Sequence, residues 1–436
     1  MALWETLEAQ AAALAAESLR MAREIYPICR SITGNGVRET LRLLARRAPL
    51  AITEVPTGTP VFDWEIPREW NVRDAWIADP DGRRVVDFRR HGLHVMGYSI
   101  PVRERMSLQE LRPHLHSLPD QPDRIPYRTS YWREAWGFCV AHRELATWPE
   151  GEYEVVIDST LAPGSLTYAE CCIPGTSERE VLVYTHTCHP ALANDNAIGM
   201  AVAAVLAGEA LKSRSKLSYR FVFGPGTIGS IAWLARNEVT LGRIRAGLVV
   251  GLLGDRGPLT YKRSRRGRTE VDFIAADVVR ALDREAKVVD FTPYGYDERQ
   301  FCSPGIDLPV GRLTRSSNDA YPEYHTSADN LDLLDAGSIA ESIRALAGIF
   351  GRLEANRLYR SCSAKGEPRL GKRGLFRSTG GTSPGEFEHA MLWLLNLADG
   401  AHGLQDARAA SGLPLATLER AAAALVGAGL LEEVAS

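Results

Sequence analysis

Two short segments hold most of the residues in this chain whose types and spacing can do chemistry. Thr185-His186-Thr187-Cys188-His189-Pro190-Ala191-Leu192-Ala193-Asn194-Asp195-Asn196 carries two imidazoles and a carboxylate. Tyr324-His325-Thr326-Ser327-Ala328-Asp329-Asn330 carries another of each. Such a set suits a catalytic zinc ion, which takes about three N/O ligands and keeps one position for water. Val181-Leu182-Val183-Tyr184 reads as a buried strand running into His186. A strand that stops there delivers the imidazole to the carboxyl edge of a sheet, where open α/β folds bind ligands. Asp195 precedes the helical stretch 197–211, where a helix N-terminus favours a carboxylate. Each residue also has a plainer reading: Asp195 as an N-cap, His186 as a hydrogen-bonded core histidine. His189 lies three residues after His186, and Pro190 fixes the backbone beyond it. Asp329 either orients a histidine from outside the ligand shell or caps the next helix.

Taken together, and in this order, the strand-His, loop, Asp-Asn-helix and late Tyr-His-Thr-x-x-Asp segments resemble the zinc exopeptidases of the bacterial leucyl aminopeptidase type. Glutaminyl cyclase and glutamate carboxypeptidase share that fold. The similarity is greater to a bacterial family of unknown function with an aminopeptidase-like core, an inserted domain and a C-terminal winged helix. Its hallmarks stand here as the 185–196 segment, Pro225-Gly226-Thr227-Ile228-Gly229-Ser230, Asp297-Glu298-Arg299-Gln300-Phe301 and Tyr324-His325-Thr326-Ser327. The resemblance implies an α/β core whose mostly parallel sheet is sandwiched by helices. It also implies zinc ligands at His186, Asp195 and His325. His189, three residues after His186, is a further candidate by position alone.

Departures from the aminopeptidase pattern are as informative. Those enzymes carry Glu-Glu shortly before a Gly-Ser pair, the first as general base and the second as a ligand. The corresponding residues here are Phe223-Gly224, and the position of a further Asp ligand is Gly251. The remaining His-Asp-His set suits one zinc and not two. A base must then come from Glu298, Asp297 or Glu323, and Tyr296, Tyr294 or Tyr324 could stabilise an oxyanion. Arg263, Arg265 and Arg266, with Arg315, could hold an anionic substrate group. Their plainer reading is a solvated loop.

The implied activity is a zinc-dependent hydrolase of amide or peptide bonds, acting on a small peptide or aminoacyl-amide. An acyl-transfer or cyclising enzyme on the same scaffold, or a non-catalytic metal-binding regulatory protein, are the alternatives. The Gly-rich segment at 225–229 lacks the lysine of a phosphate loop, and no Gly-x-Ser-x-Gly nucleophile elbow occurs.

The chain has 436 residues, 45% hydrophobic and 24% charged, with a net charge of −3. Those values describe an ordinary globular protein with room for two or three domains and no general pull toward nucleic acid or membrane. No apolar run approaches the roughly 20 residues of a membrane span. The start, Met1 to Arg23, lacks the pattern of a signal peptide. Seven scattered cysteines suggest reduced thiols and a cytoplasmic location.

Texture divides the chain further. Residues 1–60 supply helices and a first core strand at Leu50–Val55. Residues 61–135, with four tryptophans, many prolines and short alternating runs, read as an inserted β-rich domain. Residues 136–356 alternate strands and helices, the mark of a mostly parallel sheet. A basic linker follows at 357–378, including Arg377, and a winged helix at 379–436, from Thr379 to Ser436. That last segment has seven acids against Arg408 and Arg420. Its third helix offers little to read a base edge, so it is expected not to bind DNA but to pack on the core or on another subunit. A homo-oligomer through this domain or the inserted one is the expected assembly.

Overall fold

The computed structural model describes residues 3–376 and 384–434. Met1, Arg377, Thr379 and Ser436, named above, lie outside them. Eight strands form the central sheet in the order Ala51–Pro56, Ser165–Ile173, Ser218–Gly224, Glu180–His186, Ile244–Val250, Val310–Thr314, Thr260–Lys262, Lys287–Val289. The middle four run parallel, and antiparallel strands join at either side. Alternation places side chains on both faces. Val181 and Val183 enter a core with helices Leu3–Ile25, Ile198–Ala210 and Ala336–Ala355. Leu182 and Tyr184 enter another with helix Ile228–Asn237 and Phe301. Helix Ile198–Ala210 is buried at every residue, as its run of Ala, Val, Gly and Leu allows. It can therefore hold the Asp195 end of the chain rigidly against the sheet.

The inserted domain is built on a four-stranded sheet, Arg84–Asp87, Glu69–Ala78, Glu152–Ala162 and Val102–Ser107. Strand Glu152–Ala162 pairs along its length with Glu69–Ala78 and with Val102–Ser107. The boundary expected at 135 thus moves: Tyr153, Val155 and Ile157 belong to the insertion and not to the core. Their alternation is the same whichever sheet they join.

At the C-terminus, helices Glu386–Leu397, Leu404–Ser411 and Leu415–Gly427 enclose a small core of their own. The expected linker is partly structural. Leu358–Ser361 forms the central strand of a three-stranded sheet with Asp399–Gly403 and Leu431–Glu433. This domain rests on the core through Arg408 with Asp277 at 2.7 Å and the Gln405 N–H donating to Asn356 Oδ1 at 3.2 Å. Among the described residues no helix is long and apolar enough to cross a membrane. All seven cysteines are free thiols.

Candidate metal centre

Strand Glu180–His186 ends level with Gly224 of the neighbouring strand, and His186 is buried there. The chain then loops through His189 to Asp195, whose carboxylate is only 2% exposed. Three imidazoles converge on it. His186 Nε2 lies 2.7 Å from Asp195 Oδ1, and His325 Nε2 lies 3.1 Å from Oδ2. His189 Nδ1 is 3.1 Å from Oδ1, without the alignment of a hydrogen bond. The donor atoms of His186, His189 and Asp195 fall within 4.8 Å of one another. The structure therefore brings together all four residues expected to ligate metal.

Electrostatics separates the three imidazoles. Burial pushes His186 down to about 4, only partly offset by Asp195, and burial also lowers His325. Both rest neutral at pH 7, the form that ligates a metal. Burial opposes charge on His189 too, but there Asp195 prevails and the imidazole is held well above its ordinary value. Asp195 is held well below the carboxylate range, against burial, by the charge of the nearby His189 and by its hydrogen bonds with His186 and His325. A buried carboxylate without a Lys or Arg partner and with neutral imidazoles on both oxygens is a donor set that fits a zinc ion.

Outer contacts fix these side chains. Asp329 accepts from the N–H groups of Asn194 at 2.6 Å and Asp195 at 3.0 Å, so it orients the Asp195 loop and not a histidine. Burial, with the charge of Asp195 added, raises it to about 7. Asn196 Nδ2 donates to Thr185 Oγ1 and to the His186 carbonyl, tying loop to strand. Tyr324 stacks on His325, ring centroids 3.9 Å apart. His325 has φ of +53°, a left-handed conformation that costs roughly 1–3 kcal/mol unless its surroundings enforce it. The enforcement comes from the inserted domain: the Tyr127 N–H donates to the His325 carbonyl at 2.8 Å, and the Ser327 N–H to that of Ile125.

Two contributors escaped the sequence. The Tyr127 ring stands edge-on to both His189 and His325 at 5.1 Å. Arg30, buried with no carboxylate partner, donates to the His189 carbonyl at 2.7 Å, and burial lowers it to about 10. Neither sits in a motif, and only the packing of distant segments reveals them.

The structure also explains the missing carboxylates. A Cβ on Gly251 would sit 3.0 Å from Asn196 Oδ1, and one on Gly224 3.0 Å from Tyr184 Oη. Asn196 and Tyr184 thus crowd both positions, and a larger side chain at either would require them to shift.

Several residues expected at the site are engaged elsewhere. Glu298 accepts from Lys262 Nζ at 2.9 Å and the Tyr296 N–H at 3.0 Å. Burial notwithstanding, Arg312 and Lys262 hold it below the ordinary carboxylate range. It pins the 294–298 loop and does not line the cavity beside the centre. Asp297 is enclosed beneath Ser230 Oγ, 2.6 Å away, and burial raises it to about 7. Glu323 faces Arg124 at 3.7 Å, outside the cavity lining. Tyr296 does reach the site, its hydroxyl 3.3 Å from His189 Nε2. The arginines expected at the substrate lie elsewhere. Arg263 meets Asp290, and Arg265 and Arg266 share Asp307. They follow strand Thr260–Lys262, which is antiparallel to Val310–Thr314 and so leads to the other edge of the sheet. Arg315 is buried against the Gly257 carbonyl and Glu341.

The cavity that opens beside His189 and His325 encloses about 500 Å³. It is walled by Tyr296, Tyr127, Trp64 and Trp132, with Arg128 and Arg299 as its cations.

Comparisons with known proteins agree with this architecture. Residues 19–356 match the family described as Domain of unknown function (DUF4910), and residues 357–433 match a winged helix-turn-helix family. The chain is 47% identical over 419 residues to a Clostridium acetobutylicum protein, with 96% of each chain covered. That protein is provisionally described as a polysaccharide biosynthesis protein with an aminopeptidase-like domain. A crystal structure from Clostridium acetobutylicum, provisionally described as a peptidase, superposes with a TM-score of 0.84 at 44% identity, covering 99% of both chains. BSAP, a zinc aminopeptidase from Bacillus subtilis, superposes with a TM-score of 0.55 at 13% identity, covering 78% of this chain and 94% of its own. The last likeness is one of fold.

Asp329→Asn should weaken zinc binding about 10–100-fold, the usual cost of losing an outer-shell partner. An amide cannot accept two N–H bonds without turning its own N–H₂ against one donor. Competition with a chromophoric chelator measures the change, and an unaltered affinity would remove Asp329 from the site.

Proposed function

The chain belongs to the DUF4910 family, extended by a winged helix-turn-helix domain, and on that footing we propose that it is a zinc-dependent hydrolase of amide bonds in small molecules. One observation carries the reading: Nε2 atoms from two distant parts of the chain, His186 and His325, meet at the two oxygens of one buried carboxylate. His186, Asp195 and His325 would hold one zinc per chain and leave a coordination position open. Four protein ligands would close the site, as in structural zinc centres. When bound, zinc polarises a carbonyl and acidifies water.

The remaining chemistry falls to the cavity wall. His189 both lines the cavity and touches Tyr296, and no Asp or Glu does so among the described residues. His189, held protonated by the nearby Asp195, is therefore placed to give a proton from Nε2 to the leaving nitrogen, with Asp195 3.1 Å from Nδ1. Tyr296, kept protonated by burial, can donate to an oxygen that gains negative charge. Arg30 and Tyr127 hold His189 in place. The clostridial relative's description joins an aminopeptidase-like domain to polysaccharide biosynthesis, which supports a metabolite over a protein as substrate.

Metal analysis of protein purified without chelator should give one zinc per chain. His325→Ala should abolish it, while His189→Ala should retain it and lose two or more orders of magnitude in turnover, the range for removal of a proton carrier. Two zincs per chain would contradict the ligand set, and loss of metal from His189→Ala would make that residue a ligand.

The C-terminal domain is, in the same reading, a packing module. Its acidic balance disfavours phosphate contacts, and helix Leu404–Ser411 is engaged with the core through Arg408. Full-length protein titrated with labelled duplex DNA at 0.15 M salt should show no anisotropy change at micromolar concentration. Salt-sensitive micromolar binding would make it a nucleic-acid module after all.

A further inference from the structure

The cavity beside His189 and His325 has a charge pattern that the metal centre does not explain. An enzyme that removes an N-terminal residue must accommodate the ammonium group of its substrate, and a charge taken from water needs a partner. Among the described residues this cavity offers no Asp or Glu side chain. Its arginine side chains are Arg128 and Arg299. The Arg128 side chain gives a hydrogen bond to the neighbouring Tyr127 carbonyl, and neither guanidinium forms an ion pair with a carboxylate among the described residues. The contrast with other arginines nearby is plain: Arg124 faces Glu323, Arg143 pairs with Asp123, and Arg68 with Glu134. Two unengaged guanidiniums in one concave site are the planar donors that bind a carboxylate.

Part of the cavity wall is aromatic. Trp64 and Trp132 are 45% and 54% exposed, with ring centroids 4.9 Å apart. Exposed indoles of this size at the mouth of a cavity present flat apolar faces to whatever enters. They suit a ring: an aromatic side chain or the C–H face of a sugar.

Resting on the amide-hydrolase reading above, we propose that the substrate is an N-acylated acid. Its amine half bears a carboxylate and a ring and no free ammonium. The carboxylate goes to Arg128 and Arg299, the ring to Trp64 and Trp132, and the acyl carbonyl to the end walled by His325 and Tyr296. Hydrolysis breaks the acyl C–N bond: the hydroxyl of water joins the acyl carbon, and a proton joins the leaving nitrogen. The products are a carboxylic acid and an amino acid or amino-sugar acid. A free aminoacyl-amide, the substrate the sequence suggests, meets only positive charge here.

Calorimetric titration of the zinc-loaded full-length protein tests this without relying on turnover. The probes are N-acetylphenylalanine and N-acetylmuramic acid, their uncharged counterparts N-acetylphenylalaninamide and N-acetylglucosamine, and cationic phenylalaninamide. At least one acid should bind tenfold or more tighter than its counterpart, and phenylalaninamide weakest. The tighter acid assigns the ring as amino acid or amino sugar. Arg128→Ala with Arg299→Ala should erase the preference while the circular dichroism spectrum stays unchanged. Equal or tighter binding of the uncharged or cationic probes, or a preference surviving in the double variant, overturns the proposal. Acid preference without hydrolysis would refute the hydrolase reading alone. Turnover of phenylalaninamide with weak acid binding would refute this inference alone.

Discussion

The site depends on one buried charge. Asp195 lies away from water, with no Lys or Arg paired to it among the described residues, at the meeting point of three imidazoles. A carboxylate so placed is costly unless compensated by partners of good geometry. Much of the surrounding structure supplies that geometry. Asp329 and Asn196 hold the loop, Arg30 secures the carbonyl of His189, and Tyr127 reaches in from the inserted domain to fix His325 in a left-handed conformation. The insertion is thereby part of the centre as well as an addition to the fold. A helix buried on all sides, Ile198–Ala210, gives the loop a rigid end.

The same close packing bears on how many metals the proposed centre would hold. Positions that could carry further carboxylates are glycines because Asn196 and Tyr184 fill the space in front of them. A single acid substituted there would also need the neighbouring side chain to give way by a few tenths of an ångström. With Glu298 and Asp297 turned into the protein, the cavity keeps histidine and tyrosine as its proton-handling groups. Its positive walls follow from the same loss of acids.

Much of this was legible in the sequence, for a physical reason. His186 follows a strand of continuous apolar residues, Asp195 precedes a continuous apolar helix, and the alternation of elements dictates a parallel sheet whose carboxyl edge collects both. Local pattern fails where partners come from afar. Glu298 reads as a reactive carboxylate until Lys262, from another strand, claims it. Arg263, Arg265 and Arg266 read as a substrate clamp only if their strand runs parallel to its neighbours, and it runs antiparallel to one of them. Tyr127, Arg128 and Arg30 carry no local signal, since their roles arise from the docking of the insertion and the N-terminal segment. Strand Glu152–Ala162 has an alternation that fits either sheet, so only pairing assigns it.

The central claim is that zinc belongs at Asp195 among nitrogen donors. X-ray absorption at the zinc edge, on protein given one equivalent of the metal, tests it directly. The account predicts a first shell of nitrogen and oxygen with the multiple-scattering signature of two imidazoles and no sulfur. Cys188, whose Sγ lies 3.3 Å from the Tyr296 hydroxyl, is a thiol close to the site. A sulfur scatterer, or a six-oxygen shell without imidazole, would contradict the account.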